Sequence, residues 1–321
     1  MFSLIMDTLL YAVFRGAASF LQGMPLTWAA RLGRAGGALA FWLDARHRRV
    51  VLKNLTMCFG TEKSPAELRT LAKMNFKNIG ENYCAAVKTA AMTPAQMARH
   101  FTFVGAEKIL PHAANDGPQS RVVAVGHFGN FELYARFGQF VPIFKCATTY
   151  RGVRQPALDR LLRELRETSN CHFFERRSEA AALKACMTDT GLLLGLLADQ
   201  HAGPSGVRLP FLGHDCSTST APALFALRYR CPLHTAICYR VGLGRWQIEV
   251  GDEIPTREND GPRTPEAIMA DVNRAFEVAV RRDPANWFWV HNRWKPAKAR
   301  QQGPRSKFTQ VPATVKLEDR G

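Results

Sequence analysis

The stretch with the densest chemistry is "AVGHFGNFELYA", residues 124–135, where His127 and Glu132 stand five positions apart and Gly126 and Gly129 flank the histidine. On a regular α-helix five positions correspond to about 140° around the axis, so the two side chains would not meet. They meet only if the chain turns between them, and glycine relaxes the backbone restrictions on such a turn. A carboxylate that orients an imidazole makes a general base: it holds the tautomer and stabilises the imidazolium as the other ring nitrogen takes a proton. A plainer reading of the same residues is a histidine capping a strand and a glutamate complementing a helix N-terminus.

Other chemistries lack their residues. There is no G-x-S-x-G elbow, no H-E-x-x-H and no P-loop, and "GLGRWQ" lacks the third glycine of a dinucleotide fingerprint. No cofactor and no metal are therefore expected. With no serine or cysteine in a nucleophile motif, the proton taken by His127 is that of a substrate hydroxyl. Transfer is then direct to an acceptor alcohol, without a covalent enzyme intermediate.

The elements that must position this pair follow from apolar periodicity. "RVVAVG" reads as a buried strand ending just before His127, "NFELYARFGQF" as a helix, and "PIFKCATTY", "CHFF" and "GLLLGLLA" as further strands. "QPALDRLLRELRETS" and "SEAAALKACMTD" are the helices between them, and "ANDGPQS" is a loop. "TSTAPALFALRYR" follows as a helix, "PLHTAICYR" and "RWQIEVG" as strands, and "TPEAIMADVNRAFEVAVRR" as a long helix capped by Thr264. Near-continuous apolar strands separated by helices predict an α/β fold with a mixed, largely parallel central sheet flanked by helices. Ligands of such sheets bind beyond the strand carboxyl ends, where His127 would stand.

Upstream, "SPAELRT" carries a capping box from Ser64 to Glu67 and opens an amphipathic helix. Residues 1–45 are strongly apolar but interrupted by Asp7, Arg15, Arg31 and Arg34, and "DARHRRVVLKN" adds a basic cluster beside Trp42. That layout predicts helices lying in or dipping into an anionic membrane surface, and a buried helical hairpin is the alternative. The expected organisation is membrane-associating helices over 1–45, one domain over 46–296, and a basic, disordered tail over 297–321.

Forty-three Lys and Arg against 27 Asp and Glu give a formal charge of +16, which favours acidic partners. The basic residues are not grouped on a recognition helix, so no nucleic acid is expected. Eight scattered cysteines without metal spacing read as reduced thiols in a cytosol-facing protein.

"GHFGNFE" resembles the motif of a histidine, four residues and an acid that marks the glycerolipid acyltransferase superfamily, and is similar to its form in the late acyltransferases of lipid A biosynthesis. "TTYRGVRQPALDRLLRELR", "FFERRSEAAALKAC", "GLLLGLLADQH" and "WFWVHNRWK" resemble further segments of that family. The likeness covers about residues 10–296, with Phe131 and Gln155 departing from the usual Trp and Asn. The resemblance implies an O-acyltransferase that moves a fatty acyl chain from a thioester, on acyl carrier protein or coenzyme A, to a hydroxyl of a phosphorylated lipid A precursor; the alternatives are the same scaffold acting on a glycolipid, an ornithine-type lipid or a polyene, and a lipid-binding protein without turnover. It implies work at the cytoplasmic face of a bacterial inner membrane. It makes His127 the base and Glu132 its orienting partner, Arg151 and Arg176 phosphate-binding or supporting residues, and Asp199 a polar residue at its strand end. Trp287, Trp289 and Trp294 read as core aromatics, and Arg293 and Lys295 as headgroup-facing charges.

Overall fold

The computed structural model describes residues 2–110, 119–176, 178–188, 191–259 and 261–296. The tail over 297–321 and most of the loop expected at 114–120 lie outside the described residues.

Four helices come first: α1 (Phe2–Gly23), α2 (Leu26–Leu43), α3 (Ala45–Phe59) and α4 (Pro65–Thr89). Asp44 caps α3 by accepting the His47 N–H, and the Ser64–Glu67 capping box opens α4 as the spacing predicts. Helices α2 and α4 approach closely because both are glycine at the crossing. A Cβ on Gly33 would lie 2.3 Å from the Gly80 carbonyl oxygen, and one on Gly37 2.1 Å from that of Phe76. Beneath this crossing Glu81, fully buried, binds Arg34 at 2.9 Å and Arg240 at 2.7 Å and accepts the Gly244 N–H. The buried carboxylate thus has opposite charges and a donor to offset its desolvation.

After the short α5 (Pro94–Met97) the chain enters the sheet. Its strands are β1 (Phe101–Val104), β2 (Arg121–Val125), β3 (Lys145–Tyr150), β4 (Cys171–Glu175) and β5 (Leu192–Leu197), with β8 (Leu233–Gly242) and β9 (Arg245–Val250) added later. The seven-stranded order is β1-β9-β8-β2-β5-β3-β4, parallel throughout except between β8 and β9. The expected mixed, largely parallel sheet is thus observed. Helices α6 (Pro156–Glu167), α7 (Ala180–Cys186), α8 (Ala221–Tyr229) and α9 (Pro265–Arg282) complete its covering layers. The hairpin β6–β7 (Val207–Phe211, His214–Thr218) and the two-residue pair β10–β11 (Arg257–Glu258, Gly261–Pro262) stand outside the main sheet.

The segment expected as a helix after His127 is a 3-10 helix over Phe131–Gln139. Gln155, the residue that departs from the family pattern, caps α6 by accepting the Leu158 N–H at 2.7 Å and also donates to Asp7 of α1 at 3.2 Å. No helix among the described residues is long and apolar enough to cross a membrane.

Candidate active site

Strands β2 and β5 are parallel neighbours with Val125 opposite Leu197, and Ala198 N–H continues the ladder to the Val125 carbonyl at 3.0 Å. Two residues further on, this register sets His127 beside Asp199. One Asp199 oxygen accepts from His127 Nδ1 at 2.8 Å, and the other accepts both the His127 backbone N–H at 2.7 Å and the Trp287 indole N–H at 2.8 Å. Burial works against the charge of Asp199, which is 1% exposed, but the His127 ring, its hydrogen bonds and Trp287 hold the carboxyl at about 2. An ionised carboxylate only accepts, so the shared proton resides on His127 Nδ1. Nε2, which bonds to no group among the described residues, then presents its lone pair.

The partner expected for His127 was Glu132, and here the structure corrects the reading. Gly129, at φ +50°, turns the chain so sharply that a Cβ there would lie 2.5 Å from the Cys238 carbonyl oxygen. Glu132, second in the 3-10 helix, is carried toward α6 and binds Arg166 through two contacts of 2.5 and 3.1 Å. Burial opposes the Arg166 charge, yet the Glu132 contacts outweigh it and leave the guanidinium pKa raised. Glu132 and His127 form no hydrogen bond.

Both residues still line one cavity of about 910 Å³. Its deep walls are apolar, with Ile109, Val123, Phe137, Cys146, Leu193 and Ile248 contributed by the sheet and the 3-10 segments beside it. Arg151, Arg166 and Arg176 also line it. Arg176 donates to the Thr149 hydroxyl at 3.1 Å, and desolvation together with the neighbouring charge of Arg151 lowers its pKa. Arg151 and Arg176 are exposed, so this cationic wall faces solvent.

The C-terminal block closes the site. Residues after the 3-10 turn Pro284–Asn286 follow no regular ladder, so their carbonyls need side-chain partners. Asn75 of α4 donates to Ala285 and Trp287, Asn78 to Ala285, and Asn54 of α3 to Trp289 and His291. Trp287 and Trp289 are buried as expected, but Trp287 also serves Asp199. Phe131 and Phe288 pack on the His127 ring at 4.8 and 5.7 Å. Arg293 does not face a headgroup: it is 0% exposed and donates to the Gln200 and Ser217 carbonyls and the Thr218 hydroxyl, while Lys295 is exposed. Arg293 thereby anchors the loop that follows Asp199 to β7.

An imidazole–carboxylate pair at strand carboxyl ends, lining a cavity with apolar and cationic walls, is a ligand site of the kind α/β sheets build. The family model for bacterial lipid A biosynthesis acyltransferase matches residues 3–296, and the chain belongs to that family. It is 27% identical over 284 residues to the lipid A biosynthesis lauroyltransferase of Escherichia coli (strain K12), covering 87% of this chain and 88% of that protein. The protein is therefore an acyltransferase of lipid A biosynthesis.

Proposed function

We propose that the protein transfers a fatty acyl chain from an acyl carrier protein thioester to a hydroxyl of a phosphorylated lipid A precursor, with His127 as general base. The single observation that carries this is the His127–Asp199 pair. Its proton sits on Nδ1, and its free Nε2 belongs to a residue lining an apolar cavity. Nε2 takes the proton of the acceptor hydroxyl, whose oxygen attacks the thioester carbonyl carbon. The resulting tetrahedral intermediate collapses with cleavage of the C–S bond, and the departing sulfur takes the proton back from Nε2. No enzyme nucleophile is used.

The aliphatic chain fits the deep apolar walls, where each buried methylene contributes about 0.8 kcal/mol. Arg151 and Arg176 suit the acceptor's phosphate, and Glu132 acts through Arg166 as a positioning residue in the cavity wall. Exposed Leu9, Val13, Phe20, Trp28, Leu39 and Leu43 on α1 and α2, beside exposed Arg15, Arg31, Arg46, Arg49 and Lys53, suit a protein lying on an anionic membrane surface. The reaction proposed here takes place at the cytoplasmic face of a bacterial inner membrane, a reading these exposed apolar and basic residues support.

The test is acyl transfer by purified full-length protein from carrier-protein thioester to a phosphorylated lipid A precursor, with acyl-coenzyme A as the comparison donor. Folded His127→Ala is expected to lose turnover by several orders of magnitude. Near-normal turnover of that variant overturns the mechanism, and preference for acyl-coenzyme A overturns the choice of donor.

A further inference from the structure

An oxyanion forms on the thioester oxygen when the hydroxyl attacks, and such sites place hydrogen-bond donors where that charge develops. Several backbone groups near the base are already committed. His127 N–H goes to Asp199, Phe128 N–H to the Gly126 carbonyl at 2.8 Å, and Gly129 N–H to the Asn286 carbonyl at 3.1 Å. Across the site, Ala198 N–H goes to Val125, His201 N–H to the His291 ring, and Ala202 N–H to Ser217.

His291 lines the same cavity as His127. Its Nε2 accepts the His201 backbone N–H at 3.0 Å, so in the neutral ring the proton is on Nδ1. Nδ1 bonds to no group among the described residues and is not among their sealed, unpartnered polar atoms. The backbone on both sides of this contact is held. Asn54 binds the His291 carbonyl at 3.0 Å, and Arg293 fixes the Gln200 carbonyl next to His201. Burial, aided by the positive charges of Lys295 and Arg293, lowers the His291 pKa to about 4 against the opposing pull of Asp199, so the ring is neutral at physiological pH.

We infer that His291 is a second catalytic histidine, whose Nδ1–H donates to the oxyanion formed on the thioester carbonyl while His127 handles the proton. The inference rests on the acyl-transfer reading above. The two rings divide the work by their partners. Asp199 accepts from His127 Nδ1 and leaves its Nε2 basic, whereas His201 occupies the lone pair of His291 Nε2 and leaves a donor. At attack the carbonyl π pair moves to oxygen and is met by Nδ1–H. On collapse that pair re-forms the C=O bond and the C–S pair leaves with sulfur, so His291 neither gains nor loses a proton.

The test uses full-length protein with carrier-protein thioester and lipid A precursor, comparing wild type with His291→Asn, His291→Gln and His291→Ala. The asparagine amide nitrogen stands near the position of Nδ1 and keeps a donor there. Glutamine reaches the Nε2 position and keeps only the acceptor for His201 N–H. Gln and Ala are expected to lose about 100-fold in kcat with acceptor and donor KM unchanged, the usual loss for one oxyanion donor, while Asn retains clearly more. Any pattern in which Asn is no better than Gln, or in which all three match wild type, overturns the assignment. Glutamine rescue in particular assigns His291 to structural support of the 200–202 loop. If wild type itself transfers no acyl chain, the acyl-transfer reading fails first, and the outcome is distinct from failure of the His291 assignment alone.

Discussion

Asp199→Asn tests the central pair most directly because it changes a charge while keeping the shape. One oxygen of the native carboxylate takes two donors, the His127 backbone N–H and the Trp287 indole N–H, and the other takes His127 Nδ1–H. The amide oxygen is held at the two-donor position, because the amide nitrogen there would face two N–H groups. The amide nitrogen then faces His127 Nδ1, which bonds to it only by giving up its proton and becoming the acceptor. The neutral ring moves its proton to Nε2, and the lone pair that should receive the hydroxyl proton is gone. A wrong-tautomer substitution of this kind costs about 10⁴-fold in kcat in the serine-protease triad, about 5 kcal/mol of barrier. A comparable loss is expected here, read by single-turnover acyl transfer at saturating donor, with near-ultraviolet dichroism showing the tryptophan cluster intact. A folded Asp199→Asn protein with a rate within about tenfold of wild type would refute the tautomer argument, since mere loosening of the ring accounts for losses of that size.

The depressed pKa of His291 implies acid sensitivity. Between its ordinary value of 6.5 and its folded value of about 4 the unfolded chain binds a proton that the folded chain refuses. Stability present above pH 6.5 is therefore lost as pH falls toward 4, by up to about 3 kcal/mol. Urea midpoints measured from pH 7.5 to 4.5 should fall more steeply for wild type than for His291→Asn, and parallel curves would contradict this. At the α2–α4 crossing, Gly80→Ala puts a Cβ 2.1 Å from the Gly33 carbonyl oxygen and should destabilise by about 3 kcal/mol or more, whereas Gly36→Ala meets nothing within 4 Å and should be neutral or stabilise by up to about 1 kcal/mol. Thermal denaturation of the two variants checks this ordering. Arg151→Ala and Arg176→Ala should each raise KM for a phosphorylated acceptor with little change in kcat, and equal KM for phosphorylated and dephosphorylated acceptors in wild type would remove the phosphate role.

The strands and most helices were legible because each is a local pattern: β2 and β5 are apolar runs, and α4, α6 and α9 open on a capping residue followed by proline. The hairpin β6–β7 escaped because Pro210 interrupts its first strand and its turn is Leu212–Gly213, both at positive φ, rather than the Asn-Gly or Asp-Gly pair that announces such turns. Within the site, His127 and Asp199 could each be picked out at a strand end, but their partnership could not. It depends on β2 and β5 being adjacent, and these two strands are separated in sequence by a 3-10 helix, two further strands and two α-helices. Proximity in sequence instead favoured Glu132, five residues away. The distinction is physical: a 3-10 segment after the Gly129 turn sends residue 132 toward α6, whereas parallel register carries two side chains from neighbouring strands to the same edge. The same logic hides His291. It stands between Val290 and Asn292 in a block rich in tryptophan, and nothing local shows that its ring meets the backbone of residue 201 or that asparagines of α3 and α4 hold the segment in place. A sequence reading that pairs every polar residue just beyond a buried parallel strand with its counterpart on each candidate neighbour would have placed Asp199 against His127. Glu132, inside the following 3-10 helix, would not have qualified.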